Sequence, residues 1–212
     1  MLDPTNSPKA SPSMHKKITW LMSRRSIRRY QAESVPPELI EQLLTAAAWA
    51  PSAHNRQPWR FAVITEGETK HKLATAMGNK LRADLTADQA PPDLIEKDTS
   101  RSYQRITNAP LLVLFCLSMA DMDSYPDPVR QQHEWTMAVQ STAMAAQNLL
   151  LAAHALDLGA CWMCAPLFCP DLVKQTLALP DEWQPQALIT VGYPAEAKQK
   201  TRHPLATRVL YR

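Results

Sequence analysis

The chain has 212 residues, enough for one ample domain, with 45% apolar and 20% charged residues and a net charge of +3. That balance belongs to an ordinary globular protein and speaks against a disordered chain or a strongly basic nucleic-acid binder. There are 18 prolines but only 4 glycines, Gly67, Gly78, Gly159 and Gly192. None are spaced as in the glycine loops of dinucleotide-binding folds, P-loop NTPases or serine hydrolases.

In chain order, residues 1–17 are polar and proline-dotted, carry no apolar signal segment, and are set aside as a disordered leader. Residues 18–212 are expected to form a single domain, and the absence of a signal segment predicts a cytoplasmic location without disulfides. Leu39, Ile40, Leu43, Leu44, Ala47 and Ala48 recur at helical spacing and predict a helix over Glu38–Trp49, bracketed by Pro36, Pro37 and Pro51. WRFAVIT at 59–65, LLVLFCL at 111–117 and ALITV at 187–191 predict strands, and GACWM at 159–163 a further buried one.

Helices are expected at 68–80, 92–108, 129–158 and 171–179, with Gly159 as the C-cap of the third of these. Trp135 to Leu156 is uncharged and long enough for a bilayer core, but its seven polar side chains predict a helix buried all round in protein instead. Strands scattered among helices, rather than strictly alternating with them, point to an α+β fold.

Two segments carry chemistry. Arg24-Arg25-Ser26-Ile27-Arg28-Arg29 puts four guanidinium groups and a hydroxyl into six residues, a donor set that can hold a phosphate without glycine. The same run also suits a solvated basic face or a nucleic-acid patch. After the first predicted helix comes Ala50-Pro51-Ser52-Ala53-His54-Asn55-Arg56-Gln57-Pro58-Trp59, a turn whose amides offer donor and acceptor together, as the imide edge of a heterocycle requires. His54 is either a proton donor to a substrate or a plain surface residue.

Cys161-Trp162-Met163-Cys164 is formally C-x-x-C, yet it lacks a second half for zinc and a thioredoxin-like setting, so both cysteines are expected to be buried small hydrophobes. Asp123, Asp127 and Glu134 fall at calcium-loop positions, but Pro128 replaces the required glycine, and no metal is expected.

RRSIRRY followed by APSAHNRQPW across a single amphipathic helix, with LGACWM after the long helix, resembles the nitroreductase family of FMN-dependent oxidoreductases. The likeness extends over most of residues 18–212. Through Leu81–Leu85 around Asp84, Ser124–Asp127, and Leu179-Pro180 with Trp183, it is nearest to the flavin-binding domain found fused to deazaflavin glutamyl ligases.

The resemblance implies a central mixed or antiparallel sheet wrapped by helices, an interlocked homodimer, and FMN at its interface. It also implies ping-pong transfer from NAD(P)H to a nitroaromatic or quinone, the reduction of a deazaflavin precursor being the alternative. By position it gives Arg24, Arg25, Ser26 and Arg202 to the FMN phosphate and Arg28 to the pyrimidine edge of the ring. Pro51, Ser52, Asn55 and Gln57 go to a flavin-contacting turn partly supplied by the other subunit. Met163 and Cys164 would offer backbone N–H groups near the reactive ring nitrogen. A small-molecule acceptor is the expected partner, with neither nucleic acid nor membrane.

Overall fold

The computed structural model describes residues 15–212. Helices α1 (Lys16–Ser23), α2 (Pro37–Ala48), α3 (Gly67–Ala87), α4 (Pro92–Thr107), α5 (Pro128–Ala155) and α6 (Pro170–Leu177) surround strands β1 (Trp59–Ile64), β2 (Leu111–Leu117), β3 (Gly159–Met163) and β4 (Gln184–Gly192). The sheet has the order β1-β2-β4-β3, and all three pairings are antiparallel. This is the expected α+β architecture, resolved to a purely antiparallel sheet within the chain.

β2 is buried at every position because both of its faces are covered, which is why LLVLFCL reads as a continuous apolar run rather than an alternating one. Leu111, Val113 and Phe115 pack with Leu43 and Ala47 of α2 and Ala145, Leu149 and Ala153 of α5. Leu112, Leu114 and Cys116 face the other way, onto Leu73 and Met77 of α3, Ile106 of α4 and Val173 of α6. Two helical layers therefore clamp one sheet, leaving its two edges, β1 and β3, for other uses.

Several sequence expectations need correction. α1 begins at Lys16, inside the segment set aside as a leader, whose residues 1–14 lie outside those described. α3 continues past Lys80 to Ala87. α5 ends at Ala155 with Leu156 as its cap, and Gly159 opens β3 instead of closing the helix; the left-handed residue in that connection is Asp157, φ 56°. Gly159 is needed for another reason: a Cβ there would stand 2.8 Å from the Ile27 side chain.

Nor is α5 buried all round in a single chain, since Thr136, Gln140, Met144 and Gln147 form an exposed stripe opposite the buried Ala138, Ser141, Ala145 and Leu149. Among the described residues no helix is long and apolar enough to cross a membrane.

Candidate cofactor site

The arginine segment is an extended strip laid along the free side of β3. Ser26 bridges to Ala160 in parallel, and the Ile27 amide donates to the Ala160 carbonyl at 3.0 Å. Further on, Gln31 N donates to Tyr193 O at 2.9 Å and Ala195 N to Arg29 O at 3.0 Å, so the strip is held to the chain leaving β4 as well. Gly159 admits Ile27, whereas a Cβ at Gly192 would first meet the Pro110 ring at 2.7 Å and then a Tyr30 ring carbon at 3.1 Å. Gly159 thus serves close approach of the strip to the sheet, and Gly192 mainly that of Pro110, just ahead of β2.

Glu196 brings in the basic tail. Its carboxylate accepts from the Arg28 amide at 2.8 Å and pairs with Lys198 at 3.2 Å, which folds residues 198–202 back over the strip. The result is a cavity of about 170 Å³ lined by Arg24, Arg25, Ser26, Arg28, Lys198, Lys200 and Arg202. It has six cations, one hydroxyl and no carboxylate. Burial, and then the charges of Arg202 and Arg25, hold the Arg24 guanidinium below its usual value. Arg25 spends one nitrogen on the carbonyls of Met22 and Arg24, at 2.7 and 2.9 Å, while its Nε is buried without any partner. Crowded like charges and an orphaned donor are what an absent anion would relieve.

A larger cavity of about 510 Å³ adjoins the first through Arg28 and Lys198. Tyr30, Glu196, Gln104 and Arg105 of α4, and its C-cap Asn108 contribute to its walls, with Arg29 and Arg101 at the exposed side. Arg105 is held below its usual value by burial and then by the charges of Arg28 and Arg101. The structure thus brings Arg24, Arg25, Ser26, Arg28 and Arg202 to the wall of one cavity. It adds Lys198, Lys200 and Arg105, which sequence reasoning left out; the tail's excess of lysine and arginine was the only signal for the first two.

The proline-rich turn lies elsewhere. It precedes β1, at the opposite edge of the sheet from β3, three strand spacings or about 14 Å across. His54, Asn55 and Gln57 have φ of 49°, 55° and 51°, either side of a right-handed Arg56, a left-handed conformation that asparagine tolerates and glutamine adopts only where the surroundings enforce it. The enforcement is visible: Gln57 N donates to Ser52 Oγ at 3.1 Å, and Ala53 N donates at 3.1 Å to Ser141 Oγ, which itself donates to Met137 O at 2.7 Å. Arg56 pairs with Asp123, and Arg60 with Asp121 at 2.7 Å, fixing the turn's exit. Pro51, His54, Asn55 and Gln57 are exposed and Ser52 half-buried, so the turn presents its polar groups outward.

Met163 ends β3 opposite Leu188, and Cys164 follows it. Cys161 is buried, as expected for both cysteines, but Cys164 is exposed because the chain leaves the sheet there for the 3-10 turn Ala165–Phe168; it accepts from Trp162 Nε1 at 3.1 Å. Asp84 pairs with Lys80 and Arg82 with Glu96 at 2.7 Å, away from both basic cavities. Asp127 caps α5 by accepting from Arg130 N at 2.9 Å and pairs with the Arg130 side chain, and buried Glu134 accepts from Asp123 N at 3.1 Å through one oxygen while its other has no partner.

A family model described as the nitroreductase family matches residues 21–193. A Methanothermobacter thermautotrophicus protein named NADH dehydrogenase/NAD(P)H nitroreductase is 33% identical over 83% of this chain and 76% of its own length. An NADH dehydrogenase of Thermus thermophilus is 31% identical over 92% of this chain and 95% of its own. Among solved structures, a Desulfovibrio desulfuricans nitroreductase in complex with FMN superposes with a TM-score of 0.72 at 28% identity, over 94% of this chain and 98% of that one.

Proposed function

This chain belongs to the nitroreductase family, and on that premise we propose that it is an FMN-dependent oxidoreductase transferring reducing equivalents from NAD(P)H to an electron-poor acceptor of the nitroaromatic or quinone class. The observation that carries the reading is the carboxylate-free cavity at Arg24, Arg25, Ser26 and Arg202, with the buried, unpartnered Nε of Arg25. Those donors fit a dianionic phosphate, and a family relative holds FMN.

When bound, FMN supplies hydride acceptance from the nicotinamide and delivery to the acceptor in alternate half-reactions. The chain's own residues do the rest. Arg24, Arg25, Ser26, Lys198, Lys200 and Arg202 anchor the phosphate. Arg28 and Arg105, on facing elements of the larger cavity, would present positive charge to the pyrimidine edge of the ring, which favours the reduced, more negative state and raises the potential. Backbone N–H groups at Met163 and Cys164, at the end of β3, would contact the reactive side of the ring. Proton transfer needs no dedicated side chain, and His54 is exposed enough to assist from the turn.

The separation of cradle and turn favours a homodimer. Ser52, Asn55 and Gln57 lie at the β1 edge and the arginine strip at the β3 edge, so a second copy supplies the turn that one chain holds away from its own cradle. The chain also exposes apolar surface that asks for cover: Trp20, Leu21 and Met22 on α1, Trp49 after α2, Met144 on α5 and Leu210 and Tyr211 in the tail.

The test is the visible absorption spectrum of the purified protein, with mass identification of any released chromophore. A flavin spectrum releasing FMN and bleached by NAD(P)H without air is expected. A colourless protein that takes up no added FMN would return the arginine run to a plain basic surface.

A further inference from the structure

The cations around the larger cavity outnumber what FMN can use. Of the cavity's five lining cations, Lys198 pairs with Glu196 beside the phosphate cavity, and Arg28 and Arg105 answer the ring edge, which leaves Arg29 and Arg101 over. The one carboxylate in the lining, Glu196, is already engaged by Arg28 N at 2.8 Å and Lys198 at 3.2 Å. Arg29 has no carboxylate of its own in that wall. Arg101 is paired with Asp98 at 2.7 Å, but the pair is exposed, and such pairs are weak and easily exchanged. Arg101 lies four residues from Arg105 and so on the same face of α4, directed at the same concavity.

Resting on the oxidoreductase reading, we propose that Arg29 and Arg101 form a docking locus at the cavity mouth for an anionic group, a carboxylate or phosphate, carried by the substrate. A concave basic wall concentrates anions before they reach the flavin, and exposed rim charges release them again, as turnover by two substrates in succession requires. Two sources share that chemistry, the 2′-phosphate of NADPH and a carboxylate or phosphate on the acceptor.

The experiment uses FMN-loaded wild type and an Arg29→Glu, Arg101→Glu double variant, each with its flavin occupancy measured as a check on folding. One arm compares kcat/KM for NADPH and NADH with a neutral quinone. The other compares para-nitrobenzoate with para-nitrobenzamide, NADH being the donor. Both are run at about 20 and about 200 mM salt, on either side of a Debye length of ~10 Å. The anionic member of at least one pair is expected to be favoured about tenfold at low salt, less at high salt, and not at all in the double variant. The arm that responds identifies the source. An enzyme that holds FMN and reduces the quinone with NADH, yet shows no salt-dependent preference in either arm, overturns the inference alone. A protein that holds no FMN overturns the oxidoreductase reading and this inference with it.

Discussion

The hydroxyl of Tyr30 lies 2.7 Å from the hydroxyl of Thr190 and 2.6 Å from the carbonyl of Ile27, so one phenol ties the arginine strip to β4 at the point where the basic cradle begins. Burial first of all holds that phenol far above its usual pKa, which keeps it a donor at any ordinary pH. Tyr30→Phe keeps the ring and strands the Ile27 and Thr190 groups. The expected loss is about 1–3 kcal/mol in urea unfolding, together with weaker FMN uptake. A variant unchanged in both measurements would show that the clamp has no role.

Because cradle and turn sit at opposite edges of the sheet, two defective chains should repair one another. An Arg24→Ala, Arg25→Ala chain lacks the phosphate anchor, and a Ser52→Ala, Asn55→Ala chain lacks the turn. Each homodimer is expected to lose FMN. Co-expressed with different tags, the mixed dimer combines one intact cradle with one intact turn, and should carry one FMN per dimer by absorbance. Mixed dimers as empty as their parents would mean that a single chain builds the whole site.

Cys164 is the exposed thiol among the four, while Cys116, Cys161 and Cys169 are buried and have their pKa pushed up by that burial. Native alkylation followed by mass spectrometry should mark Cys164 first. If the ring lies against the end of β3, added FMN slows that labelling; unaltered labelling in FMN-saturated protein would remove Cys164 from the site.

The buried thiols also set an alkaline limit. Burial pushes Cys116 up to about 12, against about 8.5 in an unfolded chain. The native state therefore holds a proton that the unfolded state releases, and stability falls as pH rises from about 8.5 toward the native value. Cys161, Cys169 and Tyr30 shift in the same direction and add to the fall. Thermal midpoints should be level near neutrality and decline above about pH 8.5, less steeply in Cys116→Val. A midpoint that rises over that window would contradict the assignment.

Legibility in the sequence followed the range of the interactions. β2 and β3 were readable to the residue because apolar runs bounded by turn signals mark strands locally. α1 was not: Ile18, Leu21 and Met22 recur at helical spacing over little more than one turn, none of its residues is buried within the chain, and its first two residues lie in the segment set aside as a leader. Gly159 was misread because its requirement for space comes from Ile27, far away in sequence. At the site, the arginine cluster announced itself by composition, whereas Lys198 and Lys200 reach it through the contact of Glu196 with the Arg28 amide, 168 residues apart. Arg105 belongs to a helix whose packing, not its spacing, brings it to the cavity. The positive φ at Gln57 is held by the bond of its amide to Ser52 Oγ, and no propensity foretells it.

The most direct test of the account is a paired titration of FMN and riboflavin into flavin-free protein, followed by quenching of flavin fluorescence. The two ligands differ only in the phosphate, and the 170 Å³ cavity at Arg24, Arg25 and Arg202 is assigned to that group. Charged hydrogen bonds contribute about 1.5–3 kcal/mol each, so two of them already give FMN an advantage of about a hundredfold, lost in Arg24→Ala, Arg25→Ala. Equal affinity for the two flavins would place the phosphate outside the basic cradle and contradict the central claim.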